Sequence, residues 1–477
     1  MHLAVSDIVS ATGGRLVLPP GVAAPTAVGG VTTDSRKVAP GHLFVALRGP
    51  STDGHQFVED ALARGAVLCV VAAASAGAGP AASGPVASGP VLVVEDPLRA
   101  LGAIAALHRR TLPTTVVGIT GSVGKTTTVG LCAEVLAVRF NAARSAESWN
   151  AELGVALALL GLDRGVEVAV IEMAMRGLGQ IRELVEMALP RIGAVTTIGD
   201  THLELLGTRE NIAAAKAELL EGLPADGTAI VNADEPLTER LVRDVRCPVV
   251  RVGLSPEADV RATDIRCTPD GCAFVLDIGG QLGGQQGDVT LSLPGTHQVR
   301  NALVAAAVGH AFGLGLHEIA AGLARARQAK MRQEIILLGE MLVVDDTYNA
   351  SPQSMQAAFD VVVLAGPARR RVLALGEMLE LGPDSPEFHR RVGRQAAELQ
   401  PALLLAVGPN ARWYLEGAAD AGLAPGAAAW AGTTEEAIPL LRRAVRPGDV
   451  VLIKGSRGIE MERVLEGLRA GMEATPP

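Results

Sequence analysis

The chain has 477 residues, more than one hydrophobic core usually organises, so two to four domains are expected. Its formal net charge of −9 excludes a broad surface for nucleic acid or anionic membrane, and its 3% aromatic content excludes a base-stacking platform. Five scattered cysteines (Cys69, Cys132, Cys247, Cys267 and Cys272) lack a zinc-ligand spacing backed by a second pair and read as buried reduced thiols, which suits the cytoplasm. Met1–Asp7 has no basic stretch leading into an apolar one, so no signal peptide is expected. No apolar run reaches the roughly 18 to 20 residues of a membrane span.

From Met1 to about Arg110, short strand-like runs (Val28–Thr33, Leu43–Leu47, Val67–Val71, Val91–Val94) mix with helix-like ones and predict a first α/β domain over 1–110. An Ala/Gly/Ser/Pro tract from Ala72 to Pro90 reads as a flexible surface loop inside it, with the flanking apolar runs as strands of one sheet. Over 111–325, Val116–Thr120, Val168–Glu172, Gly193–Thr197 and Ala229–Asn232 alternate with helical stretches such as Asn211–Glu221. That rhythm predicts a mostly parallel sheet with helices on both faces and ligands at the carboxyl ends of its strands. Over 326–477 the pattern repeats in Glu334–Leu338, Met341–Asp345, Arg371–Gly376, Ala402–Val407 and Asp449–Lys454, predicting a smaller, Rossmann-like α/β domain.

The most informative segment is Thr120-Gly121-Ser122-Val123-Gly124-Lys125-Thr126-Thr127-Thr128, between an apolar run and the helix-like Val129–Val138. Strand, glycine loop, lysine, hydroxyl and helix form a phosphate-binding loop (P-loop). In that layout backbone N–H groups and the helix N-terminus can cradle an anion, Lys125 can add a point charge for the β- and γ-phosphates, and the Thr126 hydroxyl can hold Mg²⁺; the alternative is a glycine-rich turn whose lysine is merely solvated. The strict pattern wants glycine at 119, where the chain has Ile119.

Other candidates follow strands. Glu172 ends Val168–Glu172, placed either to hold Mg²⁺ or to face solvent. His202 follows the third strand of this domain. Lys216, among alanines, reads by itself as a solvated helix lysine. Asp345-Asp346-Thr347-Tyr348-Asn349-Ala350-Ser351-Pro352 suits either ribose and polar-substrate binding or a capped strand-to-helix turn. Lys454-Gly455-Ser456-Arg457-Gly458 suits either a carboxylate or phosphate site or a basic surface loop.

Together these segments resemble the Mur ligases of peptidoglycan synthesis over nearly the whole chain. Thr33–Leu47 and Asp53-Gly54-His55 look like the family's UDP-binding domain. Thr120–Thr127, Ser148–Gly154, Ile171-Glu172-Met173, His202-Leu203-Glu204 and Gly295–Ala302 look like its ATP-binding P-loop domain. Asp345–Pro352 and Lys454–Arg457 look like the dipeptide-adding member's third domain. The family's shortened glycine pattern accounts for Ile119. The resemblance implies that Thr120, Gly121, Ser122, Val123, Gly124, Lys125, Thr126 and Thr127 bind ATP phosphates. It assigns Asn301 to adenine, Arg332 to phosphate and Asp346 to ribose. Lys216 aligns with a lysine that takes up CO₂ as a carbamate, and Glu172, His202 and Thr126 align with the remaining metal positions for two Mg²⁺ ions. Ser35, Arg36, Asn150, Tyr348, Asn349, Ser351, Lys454, Ser456 and Arg457 align with substrate positions. Gln298 departs from the family's usual Asn, and Gln180 and Arg182 suit a sibling enzyme better.

The implied reaction joins D-alanyl-D-alanine to UDP-N-acetylmuramoyl-tripeptide through an acyl phosphate in the cytoplasm, with catalysis by Lys125, Lys216, His202 and Glu172 and no partner chain. Its rivals are a sibling that adds one amino acid, against which stands the lack of an Asp-Asn-Pro-Arg sequence, and a nucleotide switch without ligase activity. The third domain is expected to close on the second about a hinge near Arg325–Arg332.

Overall fold

The computed structural model describes residues 1–74, 88–146, 149–279, 282–366 and 368–473. Most of the Ala72–Pro90 tract, and Ser148, therefore lie outside the described residues. The chain divides into two compact units. One comprises Met1–Gly118, Phe140–Ala174 and Ile181–Arg191; the other comprises Ile119–Arg139, Met175–Gln180 and Ile192–Pro477.

In the first unit a sheet runs in the spatial order Arg15–Val17, Val91–Val94, Leu68–Ala72, His42–Val45, Gly30–Thr32. The first pairing is antiparallel and the others are parallel. The two runs flanking the low-complexity tract are neighbours in this sheet, with Cys69 opposite Val91. Continuous Val/Leu/Cys runs suit strands buried on both faces, and Phe44, Ala46, Ala61, Cys69 and Val71 form one such core. Helix Pro97–Arg110 starts where Asp96 accepts from the N–H groups of Leu98 and Arg99, with proline at its first position. Strands Ala142–Arg144 and Val168–Glu172 pair in parallel in the same unit.

In the second unit Ile192–Val195, Thr228–Asn232, Val249–Gly253 and Val260–Thr268 pair successively in parallel. Gly271–Ile278 and Gln285–Leu291 then extend the run antiparallel. This hairpin extension departs from the expected helix-strand alternation, because Val260–Thr268 and Gly271–Ile278 are joined by a turn too short for a helix. Cys267 faces Cys272 across that hairpin and is bonded to it. This corrects the expectation of five reduced thiols; Cys69, Cys132 and Cys247 are free and buried. Helix Thr296–Ala311, rich in alanine and valine, is buried on nearly every side and packs on the helix Lys125–Leu136.

The C-terminal sheet of this unit runs Glu334–Leu338, Met341–Asp346, Val450–Lys454, Arg371–Gly376, Leu403–Val407, Ala428–Ala431. The first pair is antiparallel and the rest are parallel. The last strand in the chain is inserted beside Met341–Asp346, which makes Asp346 and Lys454 register partners at the strand ends. Apolar clusters cover both faces.

His389 ties helix Ser385–Glu398 to the end of strand Arg371–Gly376. Its Nε2 accepts the Met378 N–H at 3.1 Å, so Nδ1 carries the proton it donates to the Ser385 carbonyl at 2.7 Å. Burial pushes its pKa below the ordinary value, as it does for His108 and His297. The unfolded chain therefore takes up protons near the ordinary histidine pKa of about 6.5 that the folded chain refuses. Stability is full above that pH and falls on acidification below it, by at most about 1.4 kcal/mol per pH unit for each such histidine. Urea midpoints at pH 7.5 and 5.5 should show this loss, and His389→Gln, which can still accept from Met378, should shrink it.

Candidate active site

Strand Thr115–Thr120 delivers the chain into a loop tied to the next strand end. The Ser122 N–H donates to the Thr197 carbonyl at 2.9 Å, and the Val123 N–H to Thr197 Oγ1 at 2.9 Å. Thr196 Oγ1 donates back to the Val123 carbonyl at 2.6 Å. Gly121 (φ 149°) and Gly124 (φ 89°) are both in glycine-favoured conformations. A Cβ on Gly121 would overlap Thr196 Oγ1, and one on Gly124 would overlap Asn301 Oδ1. Helix Lys125–Leu136 begins directly after Gly124, so its N-terminus faces the loop. Lys125 Nζ donates to the Gly121 carbonyl at 2.8 Å, and Thr126 is buried.

Asn301 is thus brought against the loop, and its Nδ2 donates to Gln298 Oε1 at 3.0 Å. Gln298 orients Asn301 through this bond. Nearby, His297 Nε2 and Gln333 Oε1 lie 2.7 Å apart, linking the helix start to the segment before strand Glu334–Leu338.

Lys216 is only 2% exposed, which corrects its reading as a solvated helix lysine. Burial first, and then the Lys125 charge, hold its pKa well below the lysine range, favouring the neutral amine. His202 is pushed below its ordinary pKa chiefly by burial; Glu380 opposes this, and Lys125 and Lys216 reinforce it. Lys125, Lys216, His202 and Glu380 therefore share one electrostatic neighbourhood. Glu380 was not singled out in the sequence; its Oε2 lies 2.6 Å from His202 Nδ1.

Glu172 belongs to the other unit. It is buried at its strand end, where Asn150 Nδ2 donates to Glu172 Oε1 at 2.8 Å and the Glu172 N–H donates to Ser145 Oγ at 3.1 Å. Ser35 and Arg36 also lie there, in the 3₁₀ turn Ser35–Lys37 capped by Asp34. Arg36 forks onto both Asp34 oxygens at 2.9 Å, and its guanidinium holds the Asp34 pKa down to about 2.

In the C-terminal sheet Lys454 Nζ donates to Asp346 Oδ2 at 2.7 Å and to the Asn349 carbonyl at 2.8 Å. Both charged side chains are buried, and Asp346 counters the burial that lowers the Lys454 pKa. The Arg332 guanidinium stacks on the Tyr348 ring at 3.9 Å, and the Tyr348 N–H donates to the Met331 carbonyl at 3.1 Å. Ser351 caps helix Pro352–Ala365 by accepting from Ser354. Ser456 Oγ accepts from the Leu379 N–H at 2.9 Å, and Arg457 is exposed and pairs with Glu462 at 2.6 Å. Gln180 Oε1 accepts from the N–H groups of Arg176 and Gly177, capping its own turn, while Arg182 is exposed on the helix that follows.

A phosphate loop set between parallel strands, with a buried lysine and a histidine beside it, defines a nucleotide-dependent enzyme. Three family models match the chain: Mur ligase family, catalytic domain, over residues 27–109; Mur ligase middle domain over 119–309; and Mur ligase, glutamate ligase domain, over 317–457. A UDP-N-acetylmuramoyl-tripeptide–D-alanyl-D-alanine ligase of Synechocystis is 35% identical over 454 residues, covering 93% of this chain and 92% of its own. The crystal structure of MurF from Acinetobacter baumannii superposes with a TM-score of 0.86 at 30% identity, covering 98% of this chain and 99% of that one. MurF of Thermotoga maritima in complex with ADP gives 0.79 at 26% identity, covering 93% and 98%. The chain belongs to the Mur ligase family, and it has that family's three α/β domains.

Because Gly124 has neither the backbone nor the space for a side chain, Gly124→Ala should displace the loop or Asn301. ADP affinity by calorimetry is expected to fall at least about tenfold, or about 1.4 kcal/mol, with the unfolding midpoint moving far less than the affinity.

Proposed function

We propose that this chain joins the amine of D-alanyl-D-alanine to the terminal carboxylate of UDP-N-acetylmuramoyl-tripeptide, consuming ATP, as a cytoplasmic monomer. The observation that carries this function is the phosphate loop whose Lys125 shares one neighbourhood with a buried lysine and a histidine, in a chain about one-third identical over nearly its whole length to ligases of that name. We place the domain boundaries near 110 and 325, where helices Pro97–Arg110 and Leu316–Arg325 end.

Carboxylates acylate amines poorly because an oxide is a bad leaving group. In the proposed reaction the tripeptide carboxylate attacks the γ-phosphorus of ATP, ADP departs, and an acyl phosphate forms. The dipeptide amine then attacks the acyl carbon, loses a proton, and expels inorganic phosphate. The loop N–H groups and Lys125 face the phosphates. Arg332 reaches the γ-phosphate by leaving its stack on Tyr348, and Asp346, oriented by Lys454, receives the ribose hydroxyls. Asn301 contacts adenine. Ser35, Arg36 and Asn150 receive the UDP-sugar peptide, and Tyr348, Asn349, Ser351, Ser456 and Arg457 line the approach of the dipeptide.

The oxygen donors among the candidate metal ligands suit Mg²⁺. Thr126, His202, Glu172 and Lys216, the last as a carbamate, are the proposed ligands of two ions, which would neutralise charge on the phosphates when bound. The depressed basicity of Lys216 fits carbamate formation, since only a neutral amine adds to CO₂. Left-handed backbone at Met331 and Gln333 fits a hinge at the end of 325–332, and closure there would exclude water from the acyl phosphate.

ADP release should require UDP-N-acetylmuramoyl-tripeptide and rise with D-Ala-D-Ala but not with D-Ala or lysine. Stimulation by a single amino acid would instead identify a one-residue-adding enzyme, and slow hydrolysis blind to every amine would identify a switch. Lys125→Ala should lower turnover by at least about 10²–10³-fold; near-normal turnover would remove Lys125 from the transition state.

A further inference from the structure

The turn 377–382 leaves the carboxyl end of strand Arg371–Gly376 and is fixed at almost every residue. The Glu377 carboxylate accepts from the Asn410 N–H at 2.8 Å and from Asn410 Nδ2 at 3.0 Å. Met378 donates to His389 and Leu379 to Ser456, as described above. Glu380 follows in a left-handed conformation (φ 61°), which non-glycine residues rarely adopt without a reason. Gly382 then passes so close to Glu204 that a Cβ there would lie 3.2 Å from Glu204 Cα.

This fixed turn presents Glu380 to the segment Gly199–Leu206. One carboxylate oxygen lies 2.6 Å from His202 Nδ1, and the other 3.6 Å from Arg176 Nη2. The Glu380 carbonyl accepts the Glu204 N–H at 3.4 Å. His202 is itself left-handed (φ 63°). From the other side Gln353, on helix Pro352–Ala365, fills the space over Gly199 and donates to the Ile198 carbonyl at 3.4 Å.

We infer that Glu380 is a positioning residue for His202: it holds the imidazole by the close charged contact at Nδ1, which has the distance of a hydrogen bond but not its direction, leaves Nε2 as the nitrogen offered to a ligand, and holds the 199–206 segment in its working conformation only while the C-terminal sheet is docked against it. Both side chains are partly exposed, so the pair contributes little stability. Its effect is on orientation. A carboxylate on the second nitrogen of a ligating histidine fixes the tautomer and ring plane, and losing one typically costs 10–100-fold in affinity or activity. Glu380 thereby makes assembly of the phosphate site conditional on the third domain.

The test compares Glu380→Ala with Glu380→Gln, which keeps an acceptor for Nδ1–H. In the ligand-free protein, amide exchange over 203–207 should quicken in Glu380→Ala and stay near wild type in Glu380→Gln, with strand Ile192–Val195 unchanged in both as the control for folding. The turnover arm rests on the ligase function. There Glu380→Ala should lose roughly 10–100-fold in kcat with KM for ATP little changed, and Glu380→Gln should recover most of it. Adding Glu380→Ala to His202→Ala should cause no further loss, because the two act as one unit. Losses that multiply in the double variant, kcat within about twofold of wild type in Glu380→Ala, or unaltered exchange over 203–207 would each overturn the inference. If the wild-type chain shows no amine-stimulated ADP release, the ligase function fails while the exchange comparison still decides the role of Glu380.

Discussion

The inner side of the loop Gly121–Gly124 has no room for side chains, and much of the second unit is arranged around that constraint. Thr196 stands against Gly121 and Asn301 against Gly124, each where a Cβ would go. The same contacts that exclude side chains aim the backbone. With the Val123 carbonyl held by Thr196, the flanking peptides cannot rotate, and the first N–H groups of helix Lys125–Leu136 keep one direction. Preorganised dipoles of this kind need no reorganisation when charge arrives, which is where most electrostatic stabilisation of a phosphoryl group arises. The tie passes outward through Ser122, whose Oγ accepts the Gly199 N–H at 2.8 Å, and Gly199 opens the segment that carries His202. Loop, histidine segment and C-terminal turn thus form one chain of contacts.

Two buried lysines show how the same burial serves opposite ends. Lys454 is buried against a carboxylate and a carbonyl, and the attraction of Asp346 offsets part of the desolvation that lowers its pKa. A paired buried charge of this kind fixes geometry more than it adds stability, and what it fixes is Asp346 at the end of its strand. For Lys216, burial and the neighbouring Lys125 act in the same direction. A buried ammonium beside a second cation is disfavoured against the neutral amine, since the charged form has lost its solvation and gains only repulsion. Lys454 is therefore a strut, whereas at Lys216 burial and the neighbouring charge both favour the neutral amine, though each is simply a lysine in the letters of the chain.

The legible parts of the sequence were those in which a local pattern has one physical solution. Strands Val168–Glu172, Glu334–Leu338 and Arg371–Gly376 stand where their β-branched and aliphatic runs put them, and the glycine loop needed only its own letters. The hairpins from Val260 to Leu291 were missed because their polar outward residues (Arg261, Thr263, Arg266) interrupt the apolar runs that mark strands buried on both faces. Burial of Lys216 was invisible because, within its helix Arg209–Glu221, it is flanked by alanines whose periodicity says nothing about which face is covered. The pairing of Asp346 with Lys454, 108 residues away, and of His202 with Glu380 depends on topology, which no spacing encodes.

Backbone strain follows the same division. Among the described residues, eight non-glycine residues have positive φ, and His202, Met331, Gln333 and Glu380 are four of them. Each such residue costs of order 1–3 kcal/mol and persists only where its surroundings over-determine it. His202 and Glu380 meet each other, and Met331 and Gln333 flank the arginine stacked on Tyr348. A relaxed backbone at these four positions would swing the imidazole, the carboxylate or the guanidinium away from its partner. The strained residues are held across elements: His202 and Glu380 by contacts between the 199–206 segment and the turn 377–382, and Gln333 by His297 at the start of helix Thr296–Ala311. On the proposed reading, a site held this way would be complete only with both parts in place, which suits an acyl phosphate that must be kept from water until the amine arrives.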